Sequence, residues 1–219
     1  MKNYLLLTTS FVFIFLANTI YGQRTTSNAL ERNTWEIFSK VPKKATPLDV
    51  KGTPYVKKLF NKGNIYFRGK KTRGVYLLRY NANLDYIEVL TDGEEFDKVL
   101  INDEISCKIG NDLYIHTEYI DGKTKETVKG YLKELYKNAD FTVYKKENMA
   151  FFEGKRSVNP MIPPTPSRYK LYTTYYFRKN SEKDTPALYL KNFKALKKYL
   201  KKEKINIDKS ELNKINKLM

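Results

Sequence analysis

From Asn64 to about Phe152 the chain repeats one pattern, a short run rich in Tyr, Val, Ile and Phe followed by a turn signal. The signals stand at Asp92-Gly93, Asn102-Asp103, Gly110-Asn111, Asp121-Gly122, Asn138 and Asn148. Their spacing is close to the roughly 8 to 12 residues expected of an all-β sheet. Successive strands joined by tight turns pair antiparallel. The expected fold is therefore mainly β (α+β), with an antiparallel β-meander core over residues 51–190. One run is ambiguous: in "TVKGYLKELYKN", Leu132, Leu135 and Tyr136 would also suit a helical face. Its β-branched start and Gly130 favour a strand.

Beyond the repeats the pattern breaks twice. "KRSVNPMIPPTPSRYK" holds four prolines between 160 and 166. Proline fixes φ and removes a donor, so this piece is expected to be an extended connector and not a central strand. "YKLYTTYYFRKN" resumes the strand pattern, with "TPALYL" as its expected partner. In the tail, Phe193, Leu196 and Leu200 fall on one face of a helix set among lysines. "DKSELNKINKLM" reads as a second short helix, capped by Asp208, with Leu212, Ile215 and Leu218 as its stripe. Residues 191–219 thus form a basic helical segment. Its lysines suit either an acidic membrane surface or, more commonly, solvent around a docked apolar stripe.

The opening, "MKNYLLLTTSFVFIFLANTIYGQRTT", has one lysine, an apolar run from Leu5 to Ala17 and then small polar residues. That run is too short for a stable span of the hydrocarbon core, about 30 Å thick, and has the anatomy of a secretory signal peptide over residues 1–22. The alternative is an uncleaved N-terminal anchor; no transmembrane span is expected once the peptide is removed. Residues 23–50 read as an N-terminal arm docking through Trp35, Ile37 and Phe38. Residues 1–22 carry a single charge, Lys2, so nearly all of the formal charge of +17 stays with the remainder. An excess of base this large favours polyanionic neighbours. Export makes nucleic acid the least favoured of them, leaving acidic glycans, acidic lipid head groups or a protein partner. The tail carries no β-rich sorting domain, which points to the periplasm or envelope over the cell exterior.

With one cysteine and one histidine, neither an internal disulfide nor a Cys/His zinc site can be assembled in one chain. No cofactor and no metal is expected. Cys107, in the alternating run "EISCKI", is expected to be buried, and His116, in "DLYIHTEYI", to lie on one face of a half-buried strand. "DGEEFD" lacks the ordered ligand spacing of a calcium loop and reads as a solvated turn.

The order "GTPYVKKLFNKGNIYF", "LLRYNANLDYIEV" and "VKGYLKELYKNADFTVYKK", closed by a lysine-rich helical tail, resembles a large group of exported proteins of Bacteroidota to which no activity is assigned. There the opening has Gly-Ser-Pro-Tyr, where this chain has Thr53 in place of the serine. The likeness covers most of residues 51–204. It implies a β-rich envelope protein and carries over no catalytic residue.

In "LLRYNANLDYIEVL", a three-residue loop at Asn81-Ala82-Asn83 would pair Tyr80 with Leu84 and set Arg79 opposite Asp85. Arg79 then reads as a register-fixing partner rather than a ligand-binding group. Ligand-binding promise is greater on "RYKLYTTYYFRKN", where Arg168, Tyr172, Tyr175, Tyr176 and Arg178 combine rings that stack on sugars with cations that attract phosphate or carboxylate; the favoured alternative is that these tyrosines pack against the C-terminal helices with their hydroxyls towards water. No phosphate loop, nucleophile elbow, zinc-protease motif or dinucleotide fingerprint occurs. The leading expectation is a non-enzymatic binding or structural module. The alternative is an envelope polysaccharide hydrolase using a carboxylate pair drawn from Asp85, Glu88, Glu118 or Glu134. A third reading is assembly through exposed sheet edges.

Overall fold

The structure is a computed structural model that describes residues 38–40, 50–91, 95–99, 101–155, 161 and 164–219. Residues Ser39–Met219 form one compact unit, which holds nearly all of the described sheet and the described helices. The expected signal peptide and the anchors Trp35 and Ile37 lie outside the described residues, as do most of the proline-rich connector and positions 92–94 of the acidic turn.

The strands are β1 (Phe38–Lys40), β2 (Val50–Lys51), β3 (Asn61–Phe67), β4 (Lys70–Lys71), β5 (Tyr76–Asn81), β6 (Tyr86–Leu90), β7 (Phe96–Val99) and β8 (Ile105–Ile109). They continue as β9 (Asp112–Ile120), β10 (Thr127–Lys137), β11 (Phe141–Phe152), β12 (Ser167–Lys179) and β13 (Leu188–Leu190). Two helices follow, α1 (Phe193–Lys202) and α2 (Lys209–Leu218). All the strands join one sheet in the order β1-β7-β6-β5-β3-β8-β9-β10-β11-β12-β13, with β4 on β3 and β2 on β12. The fold is mainly β with two C-terminal helices. The meander has one interruption: the chain runs outward from β3 through β7, and β8 then returns to the opposite edge of β3. The two-residue pairing of β2 with β12 is parallel.

"TVKGYLKELYKN" is a strand whose pairing with β11 shifts register between Glu134 and Tyr136. One extra residue on a strand moves everything after it to the other face. Leu132 therefore packs with Tyr119, Tyr144 and Tyr176, while Tyr136 joins the opposite core under the helices. That bulge is why the sequence period looks half helical. Near its end the sheet curls back: Ala187, just before β13, accepts from the Ile120 N–H and donates to the Glu118 carbonyl of β9.

The helices dock by their stripe. Leu196, Leu200 and Ile215 are fully buried against Phe141, Val143, Phe177 and Leu190, each contributing about 1.5–3 kcal/mol of burial. The lysines at 191, 194, 197, 198, 201, 202 and 204 remain exposed. Asn192 caps α1 by accepting the Ala195 N–H. Two expectations for α2 need correction. Asp208 occupies the cap position but accepts the Ser210 hydroxyl instead of a backbone N–H, and Leu218 is exposed.

The hairpin at Arg79 also differs from expectation. Asn81 Oδ1 accepts the N–H groups of Asn83 and Leu84, and Asp85 takes a φ of 55°. The loop is therefore Ala82–Asp85, one residue longer than expected, and Arg79 faces Glu88 instead of Asp85. Asp85 turns inward: its Oδ1 accepts the Tyr80 hydroxyl at 2.7 Å, and its Oδ2 meets Lys146 Nζ at 2.6 Å. Room for this pair comes from Gly130, where a Cβ would stand 2.2 Å from Asp85 Oδ2.

Candidate ligand cleft

Strand β8 covers β9 only as far as Ile115. The next residues, His116, Thr117 and Glu118, line a cleft of about 730 Å³ before Ala187 takes up the same edge. The opposite wall is the β10–β11 turn with the C-terminal end of β12, chiefly Asn138, Thr142, Tyr144, Arg178 and Asn180.

Arg178 crosses from β12 to β9. Its Nη2 donates to Thr117 Oγ1 at 2.9 Å and to the Glu118 carbonyl at 2.6 Å. Its carbon centre lies 5.9 Å from the ring centre of Tyr144. The Nε–H is buried with no acceptor, and no carboxylate among the described residues pairs with this guanidinium. Asn180 fixes the facing turn, donating to the carbonyl oxygens of Asn138 and Ala139 and accepting the Thr142 hydroxyl.

The acids of the cleft are largely neutralised. Lys129 Nζ lies 2.7 Å from Asp103 Oδ2 and 3.5 Å from Glu118 Oε1. Asp103 Oδ1 meets His116 Nδ1 at 2.7 Å, and the His116 ring packs edge-on against Tyr131. Hydrogen bonds from Lys129 and His116 hold the Asp103 carboxyl below its ordinary range. What remains for a ligand is Arg178, with Lys137 and Lys183 at the rim against Asp184.

Of the five residues expected from sequence, only Arg178 lines the cleft. Tyr176 is buried among Tyr119, Tyr144 and Leu132. The Tyr175 hydroxyl donates to the Met219 carbonyl, beneath the helical tail. Arg168 and Tyr172 lie towards the far end of β12, with Arg168 roughly 30 Å of strand from Arg178. Thr117, Tyr144 and Asn180 come from elements whose adjacency depends on strand order, and the sequence carries no local signal for them.

The other chemically interesting residues lie apart from the cleft walls. Cys107 has no exposed surface, and burial pushes its thiol up to about 12. Glu88 and Asp85 are bound to Arg79 and Lys146. Burial raises the Glu134 carboxyl, but that residue does not line the cleft. Among the described residues there is no cluster of three or more His, Cys, Asp or Glu arranged to hold a metal ion, and no helix is long and apolar enough to cross a membrane. No protein-family model matches the chain, no curated protein matches it, and no solved structure matches the fold.

Proposed function

We propose that this is an exported, envelope-associated binding module of the periplasm that seats an anionic glycan in the cleft at Arg178, without catalysis. The observation that carries the reading is the Arg178 guanidinium, which lines the cleft and has, among the described residues, no carboxylate partner. A cation that lines a cleft without a counter-ion favours a ligand carboxylate or sulfate, whose oxygens match the guanidinium fork. The neutral hydroxyl and amide groups around it suit sugar hydroxyls, and the rim lysines suit a charged chain. Of the four acids on which a hydrolase could draw, Asp85 and Glu88 are ion-paired and Glu134 lies outside the cleft, so only Glu118 of that set lines it.

Calorimetric titration with oligogalacturonate and with a neutral glucan of equal length tests this. The reading expects binding of the acidic chain alone, lost in Arg178→Gln and weakened in Lys137→Gln/Lys183→Gln, a rim pair outside the core. Equal binding of the neutral glucan, or unchanged affinity in both variants, overturns it.

A further inference from the structure

Strands β11 and β12 stay paired from Phe141/Lys179 to Phe152/Arg168, but their outer neighbours stop early. Strand β10 reaches β11 only to Lys145, and β13 reaches β12 only from Tyr175. Residues 146–152 and 168–174 therefore continue as a two-stranded ribbon, braced at Met149 by Ala82 and Asn83 and at its far end by β2.

This ribbon exposes large apolar side chains on both faces. Phe152 and Tyr172 share one face, Phe151 and Leu171 the other, because alternate residues of a strand point oppositely. Their exposures are 41%, 41%, 42% and 43% in that order. A two-stranded ribbon is marginal in water, and a patch of this kind marks an interaction surface. The cations around it sit over rings rather than on carboxylates: Arg168 lies 6.0 Å from the centre of Phe152, and Lys170 5.2 Å from that of Tyr172. Lys51 and Lys155 are exposed nearby, and Glu153 is the one exposed acid of the ribbon end among the described residues.

We infer that the distal β11–β12 ribbon docks on an anionic lipid surface. A docked protein strand or sheet would cover one face, whereas a lipid interface receives both. Aromatic rings with lysine and arginine beside them match the head-group layer, where rings are amphipathically placed and cations meet lipid phosphates. The inference is independent of the cleft, which lies at the other end of β12.

Labelling tests it, because fully buried Cys107 leaves an introduced surface cysteine as the one reactive thiol. A polarity-sensitive fluorophore is attached to Phe152→Cys and, separately, to Lys198→Cys on the basic helix. Vesicles are phosphatidylcholine with or without phosphatidylglycerol. The ribbon probe is expected to shift to the blue and resist aqueous quencher only on phosphatidylglycerol-containing vesicles, with the α1 probe staying in water. In a protein of unchanged melting temperature, Phe151→Ser/Tyr172→Ser should lower vesicle affinity by roughly tenfold. A ribbon probe that stays aqueous on bound vesicles, an equal response to pure phosphatidylcholine, or no vesicle binding at all overturns the inference.

Discussion

Arg79 closes over Glu88, a carboxylate with no exposed surface, through Nε at 3.0 Å and Nη2 at 2.5 Å. The guanidinium is itself stacked between Tyr55, 3.6 Å to the ring centre, and Phe60 at 4.1 Å. Tyr55 and Asn81 donate to the other carboxylate oxygen, so both oxygens of the buried charge are engaged. Removing one partner of such a pair strands the other. Arg79→Ala should destabilise the protein by about 3–5 kcal/mol in urea unfolding, while Arg79→Met/Glu88→Leu should recover much of that loss. Equal losses in the single and double variants would contradict a coupled pair.

How much of the fold is readable from residues alone depends on range. Strands bounded by local turn chemistry, such as "EISCKI" after Asn102-Asp103, are encoded within a few residues. The return of β8 to β3 is not, because no local feature says which edge a strand joins. One trace of it exists in Gly63, where a Cβ would come 2.4 Å from the Lys108 carbonyl oxygen of β8 and 2.8 Å from Leu78 of β5. A glycine inside an otherwise good strand marks such a close approach. Arg178 is legible as a cation ending an aromatic strand, but its partners on β9 are not, since they meet it only after the sheet curls.

Gly130 makes room for Asp85 and Lys146. Gly130→Ala should destabilise by an amount on the order of 1–3 kcal/mol, and much less in an Asp85→Ala background, a coupling that a double-mutant cycle reads directly. Additive losses would show that the added methyl is resisted by something other than the ion pair.

Asp103 sets an acid-side dependence. Its folded value lies below the ordinary 3.8 because Lys129 and His116 donate to it. Its contribution to stability is complete above that ordinary value and is lost as pH falls through the folded one. The group is half exposed, so the effect is small and salt-sensitive. Melting curves of Asp103→Asn should fall less steeply than those of the parent below about pH 4. Parallel curves would remove Asp103 from the account.

Burial keeps the Cys107 thiol protonated at neutral pH. A maleimide should leave the native protein unmodified and label it fully in denaturant, and Cys107→Ala should keep glycan binding intact. Rapid labelling of the folded protein would mean that β8 opens.

The most direct test of the central claim is the nuclear magnetic resonance signal of the Arg178 Nε–H during titration with oligogalacturonate. This resonance should shift progressively as the acidic sugar binds beside the guanidinium and stay in place with a neutral glucan, together with shifts at Asn180 and Thr117. An Arg178 signal that does not move while the sugar binds elsewhere on the molecule would contradict it.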